Sequence, residues 1–134
     1  MNEEQKNMAQ LCKTGAELNT MAFPEIVRQL MKAGFERYVV DFCKADITYY
    51  LPEGESISLN TLKEELVIPP VFDGAAIQGA IKEAQLNVPG YSYKGFREKV
   101  MAAGCVGYAV SFIGKRAVYY GRTAETHVEH FPGK

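Results

Sequence analysis

The sequence has no tryptophan, three cysteines, two histidines and no long apolar run. The cysteines Cys12, Cys43 and Cys105 are too few and too scattered for a disulfide scaffold or a thiolate metal site. Cys43 and Cys105 stand among apolar residues and are predicted to be reduced and buried. No stretch reaches the roughly 18 apolar residues of a membrane helix, and the start MNEEQKNMAQ has no signal-peptide pattern. We therefore expect a cytoplasmic protein with no membrane partner.

An excess of charge of either sign is also missing, because 15 basic and 16 acidic residues give a formal net charge of −1. Such a balance provides no general attraction to nucleic acid, so no nucleic-acid partner is expected. Two short basic clusters, one at Lys94, Arg97 and Lys99 and one at Lys115 and Arg116, are typical of a solvated face. The length of 134 residues and the apolar fraction of 47% fit one domain covering residues 1–134.

The most informative pattern is an internal repeat. Residues 33–50 read AGFERYVVDFCKADITYY and residues 103–120 read AGCVGYAVSFIGKRAVYY. A shift of 70 positions aligns residues 23–55 with 93–125 without a gap, and nine of the 33 pairs are identical. Two copies are typical of a duplicated unit related by a pseudo-two-fold axis.

Each copy predicts a helix followed by a β-hairpin. Gly34 and Gly104 follow the helical stretches and are predicted to end them with positive φ. The alternation that follows places one set of residues on the core face of a strand: Tyr38, Val40, Phe42, Tyr108, Val110 and Phe112.

The sequence IGKR predicts a two-residue type II′ turn with Gly114 first. That turn would pair Phe112 with Ala117 and Val110 with Tyr119. Tyr49 and Tyr119 then lie on the core face, whereas Tyr50 and Tyr120 lie on the opposite face.

The remaining segments complete two similar units. A helix over residues 3–16 and a helix capped by Asp73 precede the two repeats. Residues 55–59 and 125–131 alternate like third strands, and Thr61 with Glu64 resembles a capping box. The predicted fold is α+β: a duplicated helix-helix-hairpin unit, at about 3–59 and 73–131, forms an antiparallel sheet covered by helices. An extended connector, residues 60–72, joins the units.

The stretches FPEIVRQLMKAGFERYVVDF, TYYLPEGE and YYGRTAETHVEHFP together resemble the YbcV-like bacterial proteins. This is a domain family of unknown function, some of whose members are labelled phage envelope protein. The resemblance covers nearly the whole chain and implies a small single-domain bacterial protein. It supplies no catalytic residue.

Few residues suggest catalysis or metal binding. His127 and His130 are weak metal candidates, because on a strand His127 and Glu129 share a face while His130 points away. Cys105 has no base placed by spacing, and no phosphate-binding loop is present. The catalytic residues are therefore unknown, no metal or other cofactor is expected, and a non-enzymatic role is favoured.

The sheet face that carries the second tyrosine of each pair is the candidate site. It mixes small, apolar and hydroxyl groups, and its binding candidates are Asp41, Tyr50 and Tyr120, with Glu55 and Glu125 at the adjoining turns. We expect a binding or self-associating module, monomeric or homodimeric, that uses this face. The alternative is a sensor or hydrolase that holds a small aromatic or amphipathic molecule in a cleft between the repeats, lined by the two tyrosines and one of the glutamates.

Overall fold

The computed structural model describes residues 1–131, which contain four helices and six strands. The helices are α1 (Glu3–Glu17), α2 (Phe23–Lys32), α3 (Gly74–Leu86) and α4 (Tyr93–Ala102). The strands are β1 (Arg37–Asp41), β2 (Asp46–Tyr50), β3 (Ser56–Asn60), β4 (Cys105–Ser111), β5 (Arg116–Gly121) and β6 (Thr126–His130). They form one antiparallel sheet in the order β3-β2-β1-β4-β5-β6, which confirms the predicted α+β class.

The helix ends follow from local chemistry. Asp73 accepts a hydrogen bond from the backbone N–H of Ala76 and begins α3, as its sequence position predicts. Gly34 and Gly104 follow α2 and α4 with φ of 104° and 97°, a region that side chains disfavour and glycine accepts. These glycines turn the chain directly from a helix into a strand.

The core lies between the four helices and one face of the sheet. The alternating residues predicted for that face are all buried: Tyr38, Val40, Phe42, Tyr108, Val110 and Phe112. Tyr49 and Tyr119 are buried beside them, 1% and 6% exposed. On the opposite face of residues 1–131 every position except Gly107, which lies under Tyr120, is half-buried or exposed, so no helix covers this face. We call this the open face.

The strand ladders repeat after 70 residues. Tyr38 pairs with Tyr49, and Tyr108 pairs with Tyr119 in the same register. Between the halves, Val39 of β1 pairs with Ala109 of β4, its own counterpart after the shift.

The predicted hairpin register is wrong by two residues. Val110 pairs with Ala117 and Ser111 with Arg116, so the turn has four residues and Lys115, not Gly114, has positive φ. The Ser111 hydroxyl accepts a hydrogen bond from the Gly114 N–H, which stabilises this longer turn. A shift of two keeps each side chain on its face, so the core assignments were still correct.

The prediction of a buried Cys43 is wrong, and the capping-box pattern of Thr61 and Glu64 begins no helix. Residues 61–73 soon reach Pro69 and Pro70 and contain neither helix nor strand. Cys43 lies in the β1–β2 turn and is exposed, whereas Cys12 and Cys105 are buried. The connector, predicted as residues 60–72, lies between β3 and α3 as residues 61–73, and we keep these bounds below.

Candidate functional site

The open face consists of three rows that cross all six strands, eighteen positions in all. The first row is Ser56, Tyr50, Arg37, Ser111, Arg116 and His130. The middle row is Ser58, Thr48, Val39, Ala109, Val118 and Val128. The third row is Asn60, Asp46, Asp41, Gly107, Tyr120 and Thr126.

The first and third rows differ in the sign of their charged residues. The first row holds Arg37, Arg116 and His130 and no acidic residue, so we call it the cationic row. The third row holds Asp41 and Asp46 and no basic residue, so we call it the acidic row. Between them the middle row is largely apolar from β1 to β6, and its Val128 is 40% exposed.

Tyr50 lies in the cationic row against Arg37. The Arg37 guanidinium carbon is 3.8 Å from the centre of the Tyr50 ring, a cation–π distance. Glu55, predicted to join this site, instead binds the N-terminal ammonium of Met1 at 2.6 Å and 2.7 Å. This corner therefore offers a stacked tyrosine and arginine.

Tyr120 lies in the acidic row over Gly107, in the direction of Asp41. A side chain at Gly107 would meet the Tyr120 hydroxyl at 2.8 Å, so the missing Cβ makes room for the ring. Burial, and next the negative charge of Asp41, raise the pKa of Tyr120. Glu125 accepts a hydrogen bond from the Thr123 hydroxyl at 2.6 Å and stays in its turn.

The two tyrosines do not share a cleft. Three strand spacings and four residues along the strands separate Tyr50 from Tyr120, which is roughly 20 Å. Tyr120 and Asp41 come together, whereas Tyr50 and Glu55 belong to the opposite corner. The candidate residues thus form two corners of one sheet face.

The two histidines lie on opposite faces of β6, as expected for a strand. His127 is on the helix side, where its Nε2 is 2.7 Å from Oε1 of Gln78 and 3.6 Å from Oε1 of Glu129. His130 ends the cationic row. Across residues 1–131 no group of three or more His, Cys, Asp or Glu side chains is placed to hold a metal ion.

Sequence reasoning missed a buried ion pair. The prediction of a solvated basic cluster is wrong for Arg97, which is only 2% exposed and whose Nη2 lies 2.9 Å from Oε1 of Glu64. Nη2 also donates to the backbone oxygen of Leu62 at 2.5 Å. Helical spacing could have revealed this burial, because Arg97 lies four residues after Tyr93 and four before the buried Met101.

A cavity of about 310 Å³ lies next to this pair, between the halves of the molecule. One wall is the β1–β2 turn with Phe42 and Cys43, and another is the connector. Met101, Val106 and Arg122 of the second half close it. It is a concave site, and none of its lining residues belongs to the open face.

The sequence profile of a family described as "Protein of unknown function (DUF1398)" matches residues 12–129. The chain belongs to this DUF1398 family. The matched region includes the whole of β1 to β5 and the connector, so it contains the cavity and every position of the open face except His130. No curated protein sequence matches the chain.

Membership in DUF1398 identifies no activity, and the closer likeness to YbcV-like proteins stays a prediction. Within residues 1–131, no helix is both long enough and apolar enough to cross a membrane.

Proposed function

We propose that this DUF1398 protein is a non-enzymatic module that associates with a second copy of itself through the open face. The observation that carries the proposal is an uncovered sheet face with an apolar middle row between a cationic and an acidic row. One face of an antiparallel sheet commonly packs on a second sheet, about 10 Å away. The eighteen positions approach the 20–30 residues that a partner contributes to a standard interface.

The charge pattern favours a second copy over an unrelated partner. A two-fold axis in the plane of the sheet, along the middle row, places the cationic row of one copy over the acidic row of the other. The same rotation places Arg37 opposite the partner's Asp41 and brings the two middle rows together. Every charged position on the face thus meets the opposite charge or a neutral group.

The test is the mass in solution, measured by light scattering over a range of concentrations. We expect wild type to approach twice the chain mass of 14.9 kDa at high concentration. Arg37→Glu with Arg116→Glu makes both outer rows acidic and should weaken association at least tenfold. The control is Lys32→Glu with Lys82→Glu, which makes the same change of net charge on exposed helix positions.

The tyrosines give a second variant of the same experiment. Tyr50→Ser with Tyr120→Ser removes two half-exposed rings and should weaken association while the protein stays folded. A wild type that remains monomeric at millimolar concentration contradicts the proposal. So does a Tyr50→Ser, Tyr120→Ser variant that unfolds, because the rings would then belong to the core.

A second candidate function, binding a small molecule between the halves, is favoured by the position of the cavity. Its residues differ from those predicted, since Tyr50, Tyr120, Glu55 and Glu125 do not line the cavity. We also propose a bacterial origin and a cytoplasmic location; the phage envelope label of some YbcV-like proteins is no part of this proposal.

The duplication of units 3–59 and 73–131 within one domain is likewise a proposal. The repeated ladder registers and the Val39–Ala109 pair support it. A duplicated unit also explains why the open face carries a tyrosine at two related corners.

A further inference from the structure

We propose that the cavity beside the connector binds a small molecule with an apolar body and a carboxylate group. This inference is independent of self-association, because no residue that lines the cavity belongs to the three rows of the open face. It rests on the shape and chemistry of the lining and on two basic side chains held in place there.

The lining accepts an apolar body. Six of its ten residues are apolar: Phe42, Leu66, Val67, Ile68, Met101 and Val106. A dry cavity of roughly 150 Å³ holds one benzene ring, and sites for small ligands begin near 300 Å³. The pocket is open to solvent at Val67, which is 87% exposed, and its volume of about 310 Å³ accommodates one side of a chain or ring system of about eight carbons.

The charges at the cavity favour an anion. Glu64 lines it, but Arg97 lies 2.9 Å from that carboxylate and compensates its charge. Lys63 and Arg122 also line it, and within residues 1–131 neither has an acidic group within 4.0 Å. Two uncompensated cations therefore remain at an apolar cavity.

Backbone contacts hold both cations in position. Nζ of Lys63 donates to the backbone oxygen of Cys43 at 3.0 Å, and Nη1 of Arg122 donates to the backbone oxygen of Ile68 at 3.0 Å. Each contact uses one N–H group, so further donors remain for a carboxylate. The guanidinium of Arg122 suits a planar carboxylate better than an ammonium group does.

Cys43 provides a direct measurement of occupancy. It lines the cavity and is the exposed one of the three free cysteines, while Cys12 and Cys105 are buried. We expect 5 mM sodium octanoate to slow the reaction of the native protein with uncharged iodoacetamide at least threefold. Backbone amide NMR shifts should change at Phe42, Ile68, Met101 and Val106 over the same concentrations.

Comparison probes test the carboxylate. Octanol has the same chain without the charge. We expect the same slowing of Cys43 labelling to need at least ten times more octanol than octanoate. The double change Lys63→Gln, Arg122→Gln keeps hydrogen-bond donors and should weaken octanoate binding at least tenfold, whereas Lys82→Gln on the exposed surface of α3 should not. If octanoate changes neither the labelling rate nor the amide shifts, the proposal of a binding site at this cavity is wrong. If octanol protects Cys43 as well as octanoate does, the proposal that the site recognises a carboxylate is wrong. The octanol comparison uses wild type, so it holds even if the double variant fails to fold.

Discussion

Gly34 and Gly104 have the same sequence position in the two halves but different surroundings. Both end a helix with positive φ. A Cβ on Gly34 would meet two side chains, Gln5 at 3.3 Å and Leu51 at 4.0 Å, whereas a Cβ on Gly104 would lie 2.1 Å from the backbone oxygen of Val71 in the connector. The connector packs against one member of the pair alone, so the equivalence of these glycines is local.

Replacing each glycine with alanine should distinguish the cost of positive φ from the cost of the contact with the connector. Gly34→Ala is expected to lower the free energy of unfolding by about 1 to 2 kcal/mol, the cost of positive φ for a side chain. Gly104→Ala should lower it by at least about 2 kcal/mol more, because backbone atoms must move. Urea unfolding at neutral pH measures both, and equal losses would contradict the role given to the connector contact.

At the scale of elements, the connector is held by side chains rather than by secondary structure. Arg97 donates to Leu62, Arg122 donates to Ile68, and Lys63 reaches back to Cys43. The Arg97 guanidinium also lies 5.7 Å and 5.6 Å from the rings of Phe42 and Tyr93. The buried pair of Arg97 and Glu64 thus joins the connector to α4 and to the first half.

Breaking that pair on one side should be costly. Glu64→Ala leaves the Arg97 charge buried without its partner, and we expect a loss of about 3 to 5 kcal/mol in the free energy of unfolding. The matched control is Glu98→Ala, which breaks the exposed pair with Lys94 on the same helix and should leave stability near that of wild type. Similar urea midpoints for the two variants would contradict a structural role for Glu64.

The elements that sequence predicted best are those set by local pattern. Alternation identified the buried residues of β1 and β4, and Gly34, Gly104 and Asp73 marked helix ends, because each signal acts within a few residues. The register of the β4–β5 hairpin was missed because the Ser111 hydroxyl, not the glycine, decides the length of the turn. A cleft between the repeats was the alternative prediction, but the residues that line the cavity were missed because its walls come from positions about 80 residues apart in the chain.

At the scale of the whole molecule, the core is unusually rich in phenol and thiol groups. Rings form a continuous network, with Tyr108 and Tyr119 stacked at 4.9 Å and the hydroxyls of Tyr93 and Tyr108 2.7 Å apart. Burial raises the pKa of Tyr38, Tyr49, Tyr93, Tyr108 and Tyr119. Burial also raises the pKa of Cys12 and that of Cys105 from 9.0 to about 11.

These shifts predict unfolding in alkali. In the unfolded chain the thiols ionise near 9.0 and the phenols near 10.0, while the folded protein keeps them protonated to higher pH. The unfolded state therefore loses protons first, and the stability present below pH 9 falls steadily as the pH rises toward 11. Each buried thiol contributes on the order of 2 kcal/mol to that loss.

The double tyrosine of the first repeat provides the variants that test this. Tyr49→Phe removes a buried phenol and should reduce the loss of stability between pH 9 and pH 11, since one fewer shifted group remains. Tyr50→Phe, the matched control, removes the neighbouring hydroxyl on the open face. Urea unfolding followed by circular dichroism across that range measures each slope. A Tyr49→Phe slope equal to that of wild type would show that the buried phenols do not govern the alkaline limit of this fold.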